Sequence, residues 1–333
     1  MLFNQLLRIA TARFHRTPCG RYAPSPTGPQ HLGNLRTALL AWLQARLTGG
    51  RFILRMDDLD RPRVREGSAE QVLDDLCWLG LEWDEGPDVG GPCGPYTQSE
   101  RDPLYREAFR RLLKRGHLYP CGCSRKDIAE AASAPHEPGR SLRYPGTCRP
   151  AAPFVDESES VRHGAPPPAW RFRLEGETIQ VEDRLAGKLN QNLETEVGDF
   201  VVRRRDGLFA YQLATVVDDA LMGVTDVVRG LDLFDSTPRQ VVLAKALDLP
   251  IPRYWHLPLM IDSERKRLAK RDGADSLQEL RQAGAPPEEV VGRLAASCGL
   301  AAPGAELSAA ELLDSLDLDG FRRRLQKGSD SSS

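Results

Sequence analysis

The chain has 333 residues, 41% of them apolar, which is enough for a real core in about two domains or in one large domain with an insertion. Its 45 basic and 47 acidic residues leave a net charge of −2, which excludes a blanket polyanion binder and confines any nucleic-acid contact to local patches. No apolar run approaches the ~20 residues that span a bilayer, and seven unevenly spaced cysteines do not make a secreted disulfide framework.

In chain order, the segment MLFNQLLRIATARFHRT bears arginine and no acid, as transit peptides do; the alternative is an extension ahead of the first strand. No Asp or Glu precedes Asp57, whereas eight arginines do, so a site built here favours anions. Arg21 to Ala23 reads as a short strand entering the loop PSPTGPQHLGN. The spacing of Leu35, Leu39, Leu40, Leu43 and Leu47 predicts a helix over 35–47, ended by Gly49-Gly50. RFILRM then reads as a buried strand running into the acidic cluster DDLD. Helices are predicted over 69–79 and 104–115, separated by a Gly/Pro-rich loop over 87–95. This alternation implies a Rossmann-type α/β fold with a doubly wound parallel sheet.

The pattern changes at residue 119. A cysteine cluster and several prolines mark an insertion, and residues 170–215 read as antiparallel strands, with FVVRRRDGLFAYQLA turning at Asp206-Gly207. TDVVRGLDLFD returns to strand and helix, a helix is predicted over 240–247, and two or three helices follow the polar loop DSERKRLAKRDGA. Cys77 falls in an amphipathic helix and is expected in the core. The expected organisation is an N-terminal extension (1–19), a first Rossmann half (20–118), an insertion (119–195), a second half (196–262), a signature loop with a small helical C-terminal part (263–327), and a disordered tail (328–333).

The opening loop has a physical purpose. Prolines hold it extended, glycine lets backbone amides approach a ligand, and the helix that follows presents unpaired N–H groups at its positive end. Such a helix start suits a phosphate, with His31 at its mouth; the alternative is a rigid turn with an incidental histidine.

RYAPSPTGPQHLGNLRTALL resembles the first signature of the class I aminoacyl-tRNA synthetases in their glutamyl form, with HLGN in place of His-x-Gly-His. LRMDDLDRPR resembles the second strand and acidic loop of that family. VVDDALMGVTDVVRGLDLFDSTPRQ resembles its second-half core, and RLAKR stands where the family has Lys-Met-Ser-Lys-Ser. About 60 residues follow Arg271, too few for an anticodon-binding region, so the chain resembles the shorter glutamyl-queuosine branch of the family.

The resemblance implies ATP-dependent activation of L-glutamate and its transfer to the queuosine base in the anticodon of tRNA(Asp). It implies a ligase that works with Mg2+ and ATP, acts as a monomer and resides in the cytoplasm. The rival expectations are a truncated glutamyl-tRNA synthetase charging tRNA(Glu) and a non-enzymatic RNA-binding paralogue.

The resemblance also implies roles for particular residues. His31 and Lys270 are the expected catalytic groups, and His31, Gly33, Asn34 and Lys270 the ATP-binding ones. Asn34 replaces the family's second histidine; Arg267 and Ala269 replace a lysine and a serine of the second signature. Arg21 and Arg229 are expected to meet the carboxylates of glutamate as bidentate forks. Asp57, one methylene shorter than the family's Glu, is expected to take the ammonium, and Ser25 and Tyr211 to add hydrogen bonds. No role falls to Asp218 or Asp219.

Cys121, Cys123 and Cys148 are one ligand short of a tetrahedral zinc site. The short relatives' Cys-x-Cys and Tyr-x-x-x-Cys pattern implies Tyr144 as the fourth ligand, with His136 as its rival. Such a zinc ion is structural, pinning an insertion that lacks a core. Arg203–Arg205, Arg265–Arg271 and Arg322–Arg324 are basic runs able to grip tRNA phosphates.

Overall fold

The computed structural model describes residues 1–124, 127–128, 143–160, 166–260 and 276–330. The central sheet is built from parallel strands. β1 (Cys19–Tyr22) pairs with β2 (Arg51–Leu54), and further along the chain β8 (Asp226–Gly230) pairs with β9 (Arg253–Leu257). β1 also lies beside β8: the Thr225 N–H donates to the Cys19 carbonyl at 2.9 Å, and an Arg21 Nη1 donates to the Val228 carbonyl at 3.0 Å.

Along β2, Phe52 and Leu54 face one apolar cluster and Ile53 the other, as the two-residue repeat of a strand requires. Both faces of the sheet are therefore covered, the condition under which parallel sheets are stable. Helix α2 (Leu32–Leu47) joins β1 to β2 and lies on the first face, buried around most of its circumference. It approaches β1 closely because Gly20 has no Cβ: one added there would sit 3.0 Å from the Ala45 Cβ.

Helix α3 (Ser68–Trp78) lies on the same side as α2. On the other face lie α4 (Asp102–Lys114) and, after the insertion, a helix over Tyr211–Met222.

The N-terminal segment corrects the expectation of an untidy extension. Leu2–Phe14 form helix α1, whose Phe3, Leu6 and Ala10 are buried at helical spacing. α1 packs against the Tyr211–Met222 helix. Arg13 pairs with Glu85 at 2.7 Å, and the Arg111 guanidinium lies 4.2 Å above the Phe3 ring.

Within the insertion, β3 (Leu118–Cys121), β4 (Ala169–Phe172) and β7 (Phe200–Arg203) form an antiparallel sheet in the order β3-β4-β7. β5 (Thr178–Asp183) and β6 (Gly187–Asn192) form a separate hairpin that rests on β9. The turn at Asp206-Gly207 is present, but its second arm is not a strand. The chain enters the second-half helix at Tyr211, and this helix buries residues 213–222 without a break rather than in the alternation of a half-buried strand.

With α5 (Leu193–Glu196) in the insertion, the helices continue as α6 (Tyr211–Met222), α7 (Thr237–Ala246), α8 (Leu277–Gln282), α9 (Pro287–Ala296), α10 (Ala309–Asp314) and α11 (Leu318–Asp330). Four helices thus follow the polar loop where two or three were expected. Cys77 is exposed on α3, contrary to its expected place in the core: Val72 and Leu76 take the inward positions of that helix. No helix among the described residues is long and apolar enough to cross a membrane.

Candidate active site

The Pro/Gly loop is fixed from outside. Its Pro24 carbonyl accepts from the Asp57 N–H at 2.9 Å and its Pro26 carbonyl from the Arg65 N–H at 3.1 Å. Tyr22 donates to Gln30 Oε1 at 2.9 Å. These bonds set the loop from β1 beside the acidic loop from β2 and leave Ser25 exposed. His31 is the N-cap of α2 and bridges to Ser276, and the Leu277 N–H donates to the Gln30 carbonyl at 3.2 Å.

Gly33 and Asn34 lie in the first turn of α2; the Asn34 N–H donates to the His31 carbonyl at 2.9 Å, and an added Cβ at Gly33 would meet nothing within 4 Å. Arg36 donates to the Pro258 carbonyl. The two chain segments flanking 261–275 are thereby anchored at the start of α2. Lys270, Arg267, Ala269 and the rest of the RLAKR motif lie outside the described residues, as does His136.

Behind the loop lies a buried ionic network. Arg55 and Asp218 have fully buried side chains. Arg55 donates from Nε to Asp57 at 2.7 Å and from Nη1 to Asp219 at 2.7 Å. Asp218 accepts from Arg101 at 2.6 Å, Gln98 at 2.8 Å and Tyr105 at 2.9 Å. Arg21 pairs with Asp219 at 3.5 Å. Arg21, Arg55 and Arg101 therefore balance Asp57, Asp218 and Asp219, which is the condition for burying charge at all.

Burial pushes Asp57 up to about 6, although Arg55 pulls the other way. Burial also acts to raise Asp219, but Arg21 and Arg55 outweigh it and hold that carboxyl below its ordinary value. Asp58, the next residue of the acidic loop, instead accepts from the Ser99 N–H at 2.7 Å.

Arg229, at the C-terminal end of β8, is different. It donates to His256 Nε2 at 2.9 Å, Gln240 Oε1 at 2.8 Å, Thr237 Oγ1 at 2.8 Å and the Leu233 carbonyl at 3.4 Å. All four acceptors are neutral, so this buried cation has no carboxylate in a direct ion pair among the described residues. The Tyr254 phenol is buried within reach of the fields of Arg229, Asp219, Arg21 and Tyr211, which places these groups around one point. Arg21, Tyr211 and Arg229 thus lie around Tyr254, and Asp57 is linked to them through Arg55 and Asp219. Sequence reasoning missed their supports: Arg55, Arg101, Asp218, Asp219, Asp183 and His256.

A second cluster lies in the insertion. The sulfurs of Cys121, Cys123 and Cys148 all lie within 4.8 Å of one another. The Tyr144 hydroxyl is 3.4 Å from Cys121 Sγ and 3.8 Å from Cys123 Sγ. Ligand atoms on a zinc tetrahedron stand roughly 3.8 Å apart for bonds of about 2.3 Å, so these four residues suit a metal ion. Arg171 donates to Cys121 Sγ at 3.2 Å, and its guanidinium lies 3.6 Å above the Tyr144 ring.

A parallel sheet thus meets a helix start at one strand end, with a buried ionic network beside it. The family model for class I tRNA synthetases (E and Q), catalytic domain, matches residues 19–310. The chain is 54% identical over 302 residues to a glutamyl-Q tRNA(Asp) synthetase of Symbiobacterium thermophilum, covering 90% of this chain and 92% of that protein. It is 46% identical over 277 residues to glutamate--tRNA ligase 1 of Halorhodospira halophila, covering 83% of this chain and 57% of that protein.

Among solved structures, a glutamate tRNA ligase from Elizabethkingia meningosepticum CCUG26117, crystallised in complex with its amino acid, superposes with a TM-score of 0.77. That match has 30% identity and covers 92% of this chain and 66% of the other. The chain belongs to the class I glutamyl- and glutaminyl-tRNA synthetase family, in its glutamyl-Q tRNA(Asp) synthetase branch.

Proposed function

We propose that the enzyme activates L-glutamate with ATP and transfers the glutamyl group to the queuosine base in the anticodon of tRNA(Asp). The observation that carries this reading is Arg229. It is a buried guanidinium that hydrogen-bonds only to neutral groups, in a chain 54% identical over nearly its whole length to a glutamyl-Q tRNA(Asp) synthetase. A cation in that state is completed by a substrate carboxylate.

In the first step an α-carboxylate oxygen of glutamate attacks the α-phosphorus of ATP. The bond to the β-phosphate breaks, and pyrophosphate leaves. The protein's work is to position reactants and stabilise charge. His31, Asn34 and the N–H groups around Gly33 hold phosphate oxygens at the start of α2, and Lys270 stabilises the departing β- and γ-phosphates. Arg229 and Arg21 face the carboxylates of glutamate, Asp57 takes its ammonium, and Ser25 and Tyr211 add hydrogen bonds. Mg2+ accompanies ATP and neutralises phosphate charge.

In the second step queuosine attacks the adenylate carbonyl and AMP leaves. Zinc held by Cys121, Cys123, Tyr144 and Cys148 ties β3 to the segment before β4 and plays no part in either step. The enzyme acts as a monomer in the cytoplasm.

Pyrophosphate exchange with glutamate, ATP and no tRNA tests the first step. Labelled glutamate offered to periodate-oxidised tRNA, with only its queuosine diol protected, tests the second. Exchange with glutamate but not aspartate or glutamine, and labelling of tRNA(Asp) that survives oxidation of the 3′ ribose, are the expected results. Labelling of tRNA(Glu) that oxidation abolishes would instead indicate an ordinary glutamyl-tRNA synthetase. Absence of exchange at any concentration would indicate an RNA-binding paralogue.

A further inference from the structure

The hydrogen bonds behind Arg229 run in one direction. Asp183, the last residue of β5, accepts at Oδ1 from the backbone N–H groups of Leu185 at 2.9 Å, Ala186 at 2.8 Å and His256 at 3.1 Å. Its Oδ2 lies 2.6 Å from His256 Nδ1. Burial acts first to raise the Asp183 carboxyl, but hydrogen bonds from His256 and these amides hold it below its ordinary value, so Oδ2 can only accept. The imidazole proton therefore sits on Nδ1.

Nε2 is then a lone pair, and the Nε–H of Arg229 points into it at 2.9 Å. A guanidinium has no acceptor, so the partners on both sides of the ring require the same tautomer. The Asp183 and His256 side chains are completely buried. The ring is further fixed by Phe234, edge-on at 5.0 Å, and Tyr254, stacked at 6.0 Å.

We propose that Asp183 and His256 are positioning residues: the carboxylate fixes the imidazole as its Nδ1–H tautomer, and the Nε2 lone pair fixes the plane of the Arg229 guanidinium that receives the substrate's side-chain carboxylate. The proposal rests on the glutamate reading of Arg229 above. It also makes the β5–β6 hairpin, which is no part of the parallel sheet, a determinant of amino-acid selection.

Asp183→Asn tests it. The amide oxygen stays with the three backbone N–H groups, so the amide nitrogen faces Nδ1. The imidazole proton must move to Nε2, where it opposes the Arg229 Nε–H, donor against donor. In pyrophosphate exchange the glutamate KM should rise about tenfold or more, while the ATP KM moves less than about threefold. Nitrogen-15 NMR of the ring should show protonation switching from Nδ1 to Nε2.

His256→Gln can place Oε1 where Nε2 was and should stay within about threefold of wild type, whereas His256→Leu should match Asp183→Asn. If Asp183→Asn does not fold, the His256 pair carries the test alone. A glutamate KM unchanged in Asp183→Asn or His256→Leu, or glutamate and ATP KM values raised alike, overturns the proposal. Arg229→Met is the reference. If it alone raises the glutamate KM, positioning fails and the carboxylate reading survives. If it too leaves that KM unchanged, the reading of Arg229 itself fails.

Discussion

Arg229→Met removes one charge and keeps most of the side-chain volume. In the wild-type protein the guanidinium has four neutral acceptors, at 2.8 to 3.4 Å, and no ion pair to a carboxylate among the described residues. No carboxylate therefore pairs with it directly before substrate arrives. Truncating one partner of a buried, hydrogen-bonded charge pair costs about 2–5 kcal/mol in binding, so the glutamate KM should rise about 30-fold or more.

The effect on folding should be small, because two contributions oppose each other. Methionine strands acceptors on His256, Gln240 and Thr237, each costing about 1–3 kcal/mol. It also removes the desolvation cost of an unpaired buried cation, itself several kcal/mol. The unfolding free energy should therefore change by no more than about 2 kcal/mol, with preference for glutamate over glutamine largely lost. Pyrophosphate exchange over a range of glutamate and glutamine concentrations, beside urea unfolding, measures both. A glutamate KM within about twofold of wild type would refute the reasoning, since no carboxylate would then be meeting this group.

Asp218→Leu should act in the opposite way. It strands Arg101, Gln98 and Tyr105 in a fully buried setting and should cost about 3–5 kcal/mol in urea unfolding; a loss below about 1 kcal/mol would contradict the network. Because Asp57 titrates at about 6 and must be ionised to hold an ammonium, the glutamate KM should be flat above neutrality. It should then rise about tenfold per pH unit well below 6, and a profile flat to pH 5 would remove Asp57 from the site. Chelation, or Cys121→Ser, should release about one zinc per chain by elemental analysis and lower the melting temperature, with a protein that purifies free of zinc as the contrary result. His31→Ala should lower exchange at least about tenfold without altering the glutamate KM, and near-normal rates would remove its phosphate role.

The sheet and its first helices were legible because their signals are local. Leu35 to Leu47 repeat at helical spacing, RFILRM is a continuous apolar run, and the predicted helices differ from the observed ones by a few residues. The Pro/Gly loop abutting a helix was legible too.

The supporting network was not, because it depends on partners far apart in sequence: Arg55 with Asp219, Arg101 with Asp218, Asp183 with His256. Signals for it existed. Asp183 occupies the inward register of TIQVED, where Ile179 and Val181 are buried, and Asp218-Asp219 interrupt an apolar helix. A carboxylate at a position its neighbours use for burial implies a buried cation, though not which one. α1 was underestimated for a similar reason: Phe3, Leu6 and Ala10 form a stripe whose partner helix begins about 200 residues later.

The most direct measurement is a crystal structure grown with glutamate and a non-hydrolysable ATP analogue. The account predicts triphosphate oxygens at the N–H groups of the first turn of α2, the glutamate side-chain carboxylate on Arg229, and its ammonium on Asp57. Glutamate bound elsewhere, or a triphosphate that leaves the start of α2 untouched, would contradict it.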